Sequence, residues 1–251
     1  MRARDRQRAR VANRHHTRRV GADGLPIPPA ELISQVAGPL SDEEFLAGGA
    51  LGRRILTETL ARNGVEVERL GALLDFGVGC GRVARHWVGI EADVHGCDYN
   101  AALVEWCGAN LPHVTAARNR LEPPLPYADE RFDFVYALSV FTHLTEPQQR
   151  AWAAELRRVT RRGGHVLFTT HGPTFPHADP SFDTAEIRAR LERGELIVFA
   201  PDHAGRNNCA ALHPRSWVER NMLDGFELVE YVERGAEMNG GQDMYLVRRE
   251  S

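Results

Sequence analysis

The segment Asp75-Phe76-Gly77-Val78-Gly79-Cys80-Gly81, with Asp98 placed 21 residues after Gly77, holds the residue types and spacing that point most directly to chemistry. Glycines between a strand and a helix let the chain turn tightly and bring backbone N–H groups against a ligand, where the helix dipole favours negative groups. A carboxylate ending the following strand is placed to accept two hydrogen bonds from a ribose diol. The pair of features implies a nucleoside-containing cofactor. A dinucleotide fingerprint beginning at Gly77 would need glycine at position 82, where the chain has Arg82, so a pyrophosphate-bearing cofactor is disfavoured.

The elements that must position these residues follow from apolar periodicity. Short apolar runs at Ala72 to Phe76, Asp93 to Cys97, Val114 to Ala117, Phe132 to Leu138 and His165 to Thr170 read as strands. Helical spacing at Arg82 to Val88, Ala101 to Ala109 and Pro147 to Val159 alternates with them. Strands alternating with helices predict a parallel sheet covered on both faces. Two further runs, Phe226 to Val232 and Met244 to Val247, follow one another without a helix across a Gly240-Gly241 turn, so the sheet should close with an antiparallel member. Ahead of the sheet, Pro28-Pro29 opens a short helix over Ala30 to Val36, and Ser41 with Glu44 forms a capping-box pattern for a second that ends at Asn63-Gly64. The Gly48-Gly49 pair should weaken this second helix and let it bend as a lid. Residues 172–214 contain five prolines, one helical stretch (Thr184 to Arg193) and one short apolar run (Leu196 to Ala200), and read as an insertion that shapes specificity. The expected organisation is a basic arm and linker over 1–25, a helical lid over 26–64, and a catalytic domain over 65–251 with the insertion 172–214.

The loop spacing D-x-G-x-G-x-G resembles that of the class I S-adenosylmethionine-dependent methyltransferases, and the resemblance runs over residues 70 to 250. It includes the acid Asp98, the Leu125-Pro126-Tyr127 turn before Phe132-Asp133, and the Arg161-Arg162-Gly163-Gly164 turn, which lacks the family's usual proline. The resemblance implies a doubly wound α/β fold: a mostly parallel seven-stranded sheet with an antiparallel C-terminal strand, helices on both faces and an N-terminal helical cover. It implies S-adenosyl-L-methionine as cofactor. Asp75, Gly77, Gly79 and Gly81 would shape the pocket for its methionine end, Asp98 would hold the ribose hydroxyls, and Tyr99 would lie beside the adenosine. Asn119 and Leu121 would line the adenine pocket, and Ser139 would sit near the sulfonium.

Methyl transfer from a sulfonium is an in-line displacement that asks chiefly for alignment and exclusion of water, with a base as an optional aid. His143, in Ser139-Val140-Phe141-Thr142-His143-Leu144 after strand four, lies where the family places acceptor-side residues. It is the first candidate base, and the alternative is a histidine that packs beneath the next helix. His171, just after strand five, is the second. His171, His177, Asp179, His203 and His213 match no ligand spacing, so no metal is expected. Trp106, Trp152 and Trp217 fall on helical patterns and read as core or interface.

Composition bounds the rest. The 251 residues are 43% apolar and 26% charged, with no apolar run approaching a membrane span. The net charge of -3 divides into +7 over the first 19 residues, which hold eight Arg, and -10 over the remainder. An acidic body argues against a nucleic-acid acceptor, and the arm lacks the aromatic residues that would stack on bases. Four scattered cysteines, without a C-x-x-C pair, fit a reducing cytoplasm. The expectation is methyl transfer to a small-molecule acceptor. The alternatives are a tRNA or DNA methyltransferase, an NAD(P)-type oxidoreductase on the same fold, and a non-catalytic cofactor-binding protein.

Overall fold

The structure is a computed structural model that describes residues 19–175 and 182–251. The first eighteen residues of the arm, and His177 and Asp179, lie outside the described residues. Nine strands are seen among those described: β1 Ala72–Phe76, β2 Asp93–Asp98, β3 Val114–Arg118, β4 Phe132–Ala137, β5 Thr160–Thr170, β6 Ile197–Phe199, β7 Ala210–Leu212, β8 Phe226–Ala236 and β9 Gln242–Arg249. The α-helices are α1 Ala30–Ala37, α2 Asp42–Arg62, α3 Ala101–Asn110, α4 Glu146–Val159, α5 Ala185–Glu192 and α6 Arg215–Met222.

Seven strands form one sheet in the order β3-β2-β1-β4-β5-β9-β8, with β9 antiparallel to both neighbours and the other pairings parallel. Every side chain of β1 is buried, as expected for a central parallel strand covered on both faces. Alternation along the strands divides the core. Leu74, Phe76, Val135 and Ala137 pack with Trp152, Leu156 and Trp217 of α4 and α6 on one face. Leu73, Phe134 and Tyr136 pack with Leu56, Leu60 and Trp87 on the other. The Arg161 to Gly164 turn is absorbed into β5, with an irregular register between Phe132 and Phe134 of β4.

Two expectations need correction. The helix read over Arg82 to Val88 is only a 3-10 turn, Ala84–Trp87. The close packing of α2 on the Arg82 carbonyl and the bond from Trp87 Nε1 to the Tyr136 hydroxyl (2.9 Å) fix both ends of the segment, so tertiary packing overrides its helical spacing. No full helix opens at the Gly-rich loop. Second, α2 runs unbroken through Gly48-Gly49. A Cβ on Gly49 would stand 2.0 Å from the Arg82 carbonyl oxygen, so this glycine permits close packing rather than bending, and Phe45 is buried beneath α1 with Ile33, Cys80 and Leu103. In the insertion the apolar run at Leu196 to Ala200 forms β6, which pairs with β7 in a small antiparallel ladder, and Leu212 bridges to His171 at the end of β5.

The segment before α1 is held against the body. Val20 bridges to Pro26, Arg19 bonds Asp42 and the Pro28 carbonyl, and Asp23 takes both ends of the fully buried Arg85 guanidinium at 2.8 and 2.9 Å. Burial works against the Asp23 anion, but the Arg85 hydrogen bonds, the Leu25 N–H and the Arg85 charge outweigh it, and its carboxyl titrates below the usual range.

Candidate functional site

A cavity of about 680 Å³ opens at the carboxyl ends of β1, β2 and β4, where ligands bind in doubly wound sheets. Asp75, at the next-to-last position of β1, is almost fully buried and accepts a hydrogen bond from the Tyr136 hydroxyl at 2.7 Å. Burial and the nearby Asp98 charge raise its pKa to about 7, against the opposing effects of Tyr136 and Arg82. The chain then turns through Gly77, Val78 and Gly79, which line the cavity. Gly81 does not line it: a Cβ there would meet Leu111 Cδ1 at 2.3 Å, so this glycine serves packing beneath the loop.

Asp98, ending β2, also faces the cavity. Its Oδ2 accepts the Gly79 N–H at 3.1 Å and its Oδ1 the Asn100 N–H at 2.9 Å, leaving a lone pair on each oxygen. Burial raises its pKa even so. Tyr99 lines the cavity and donates its hydroxyl to the Gly205 carbonyl at 2.6 Å. Asn119 spends its Nδ2 on the Arg120 carbonyl, which leaves Oδ1 shielded from water without a donor. That orphaned acceptor suits an exocyclic adenine amine, and with Asp98 it fits an adenosine group. Leu121 closes this end of the cavity beneath Gly205.

Ser139, after β4, lies in the left-handed region at φ 59°, a costly conformation for a residue with a side chain. It is fixed there by Thr169 Oγ1, which accepts its N–H at 2.8 Å, and by Gln242 Nε2, which donates to its Oγ at 2.8 Å. His143 stands on the next turn and lines the cavity. Its Nδ1 lies 2.7 Å from the Cys209 carbonyl oxygen. A carbonyl can only accept, so Nδ1 carries the proton and Nε2 of the neutral ring is a lone pair. Burial lowers the His143 pKa, against the effect of the Cys209 carbonyl, so the ring is neutral at pH 7.

His171 is not on the cavity wall. It stacks on Phe175 at 3.7 Å between ring centroids and lies edge-on to His143 at 6.4 Å, with burial and its neighbour bringing its pKa down to about 3. Its place at the β5 end let it read as acceptor-facing; the bridge to Leu212 turns that strand end under the insertion. Among the described residues no cluster of His, Cys, Asp or Glu could hold a metal ion.

Residues 74–168 match the family profile described as a methyltransferase domain. An uncharacterized methyltransferase of Anoxybacillus flavithermus is 31% identical over 104 residues, 41% of this chain and 48% of the relative, so the chain spans about half that relative's length. Of solved structures, the PH0226 protein of Pyrococcus horikoshii superposes with a TM-score of 0.59 at 15% identity, covering 88% of this chain and 97% of that one. The Burkholderia thailandensis 1,6-didemethyltoxoflavin-N1-methyltransferase, crystallised with 1,6-didemethyltoxoflavin and S-adenosylhomocysteine, gives 0.55 at 14% identity over 82% of this chain and 80% of that one. At such identities the likeness is one of fold. Residues 74–168 thus carry a methyltransferase domain.

Several individual residues of the cavity wall carried no sequence signal of their own. The insertion reaches over the cavity, with the Gly205 N–H bonding the His143 carbonyl at 2.7 Å and Asn207 Nδ2 bonding the Gln35 carbonyl of α1 at 3.0 Å. Met238, Asn239 and Gln242, in and after the β8–β9 turn, and Arg82, beside the loop, also line it. These positions are remote in sequence and share no motif. Trp152, read as core, also reaches the wall, and it bonds the Leu121 carbonyl through Nε1 at 3.0 Å.

Proposed function

We propose that this domain transfers a methyl group from S-adenosylmethionine to a small-molecule acceptor, with His143 as the base. The observation that carries the reading is that one cavity is lined by an acid fit for a ribose (Asp98), an unpaired acceptor fit for adenine (Asn119 Oδ1) and a histidine whose Nε2 is free to take a proton. When bound, S-adenosylmethionine supplies a methyl carbon on a sulfonium, open to in-line displacement. Asp98 would accept the ribose hydroxyls, Asn119 and Leu121 would receive the adenine, and Asp75, once ionised, would pair with the ammonium of the amino-acid end. His143 Nε2 would take the proton of the acceptor O–H or N–H, and the Cys209 carbonyl would stabilise the imidazolium that forms. Ser139, held by Thr169 and Gln242, keeps the floor of the site rigid, which is the main demand of a displacement governed by alignment.

A small acceptor is favoured because the insertion, joined to His143 and to α1, crosses above the site and narrows the approach a polymer would need. The hydride-transfer alternative is disfavoured by an antiparallel β9 inserted between β5 and β8, which departs from the classic dinucleotide strand order. Calorimetric titration with S-adenosylhomocysteine and with NADH separates the two: micromolar binding of the first and none of the second is expected, and the reverse result removes the methyl-transfer reading.

A further inference from the structure

Arg82 is a half-buried cation on the cavity wall whose two hydrogen-bond partners are neutral. Its Nη2 donates to Asn239 Oδ1 at 2.6 Å and its Nη1 to the Met238 carbonyl at 3.4 Å, and among the described residues it makes no ion pair. The carboxylate closest in electrostatic influence, Asp75, is already engaged by the Tyr136 hydroxyl. The bond from Arg82 uses up Asn239 Oδ1, and Asn239 Nδ2 is left shielded from water with no partner. This stretch of wall, between the Gly-rich loop and the β8–β9 turn, therefore presents a guanidinium and an unmatched amide N–H and no acceptor. The loop itself has few donors to spare: the Gly77 and Val78 N–H groups go to the Cys97 carbonyl, that of Gly79 to Asp98, and that of Gly81 to the Val78 carbonyl.

We propose that Arg82 and Asn239 form a carboxylate-binding subsite of this cavity. A guanidinium fork matches the two oxygens of a carboxylate, and a cation held out of water by neutral partners gains most from an anion that completes its coordination. The Asn239 and Met238 bonds fix the direction of the fork without neutralising it, so the subsite is formed in advance of the ligand. The proposal rests on the reading of the cavity as the methyl-transfer site, because two carboxylates can then reach it: the α-carboxylate of the cofactor's amino-acid end, or one borne by the acceptor.

The test measures binding of S-adenosylhomocysteine and of 5′-methylthioadenosine, which lacks the amino-acid end, to the wild type, Arg82→Met and Asn239→Ala by calorimetry. A second arm compares benzoate with neutral benzamide, on the protein alone and saturated with S-adenosylhomocysteine. Arg82→Met should weaken a carboxylate ligand at least tenfold and Asn239→Ala three- to tenfold, with 5′-methylthioadenosine and benzamide unchanged. Loss confined to S-adenosylhomocysteine assigns the subsite to the cofactor; loss confined to benzoate on the loaded protein assigns it to the acceptor. Equal loss of the neutral ligands, or wild-type binding of both carboxylates by folded variants, overturns the proposal. Should Arg82→Met fail to fold, Asn239→Ala carries the test. A wild type that binds neither nucleoside strikes the methyl-transfer reading, and the benzoate arm on the protein alone still decides the subsite.

Discussion

On the proposed pairing of Asp75 with the ammonium of the cofactor, cofactor binding should depend on protons. With its pKa raised to about 7 by burial and by Asp98, Asp75 carries a proton through much of the mildly acidic range. The ammonium of the cofactor's amino-acid end pairs only with the anion, so binding there must expel that proton. The ionised fraction is about 3% at pH 5.5 and about 75% at pH 7.5, so affinity should rise about 25-fold over this window, about 1.9 kcal/mol, and then level off. His171, brought down to about 3 by burial, stays neutral across it. Asp98 is also raised by burial, and the Asp75→Asn variant separates its share. Titration of S-adenosylhomocysteine in buffers of different ionisation enthalpy should show close to one proton released near pH 6 and none near pH 8.5. The same shift acts on stability. A carboxyl whose folded pKa lies above its unfolded value favours the folded state at low pH, so unfolding free energy should fall as pH rises from about 4 to about 7, by up to about 4 kcal/mol, and the Asp75→Asn slope should be flatter. Affinity that is flat from pH 5.5 to 7.5, with no proton release, refutes the pairing of Asp75 with the ammonium.

Asp98→Ala should weaken S-adenosylmethionine binding by about 1.5 to 3 kcal/mol through loss of charge-assisted bonds to the ribose, and calorimetry showing unchanged affinity in a folded variant removes Asp98 from the site. His143→Ala should lower kcat on the acceptor by about 10²-fold or more with cofactor affinity unchanged. Nitrogen NMR of the wild type should find the proton on Nδ1, and a proton on Nε2 would leave no base there. Deleting residues 1–18 should leave the melting temperature nearly unchanged, whereas Asp23→Ala should cost about 2 to 4 kcal/mol because it leaves the buried Arg85 charge without its carboxylate. Arg85 also donates to the Pro26 and Leu25 carbonyls, each at 3.2 Å, and equal denaturant midpoints for Asp23→Ala and wild type would show that these suffice for it.

The end of the cavity proposed to take the cofactor was legible in the sequence because its residues are local. Asp75, Gly77, Gly79 and Asp98 belong to consecutive strand ends, and strand-loop-helix spacing alone brings such positions to one edge of a parallel sheet. The parallel sheet and its antiparallel closing member followed from the same rhythm and from two late strands with no helix between them, the seven-strand count followed from the resemblance, and the strand order came only with the structure. What depended on pairs distant in the chain was not legible. The helix expected after the loop was lost to the packing of α2 on Arg82, and Gly49 proved to be a contact point rather than a hinge. His143 and His171 were indistinguishable as loop histidines after strands. The Cys209 carbonyl, 66 residues away, sets the tautomer of the first, and Leu212 folds the second away from the cavity. Periodicity and spacing fix which face a residue takes within its own element. Which acceptor carbonyl, aromatic ring or orphan amide it then meets depends on contacts between elements, and only the folded chain decides those.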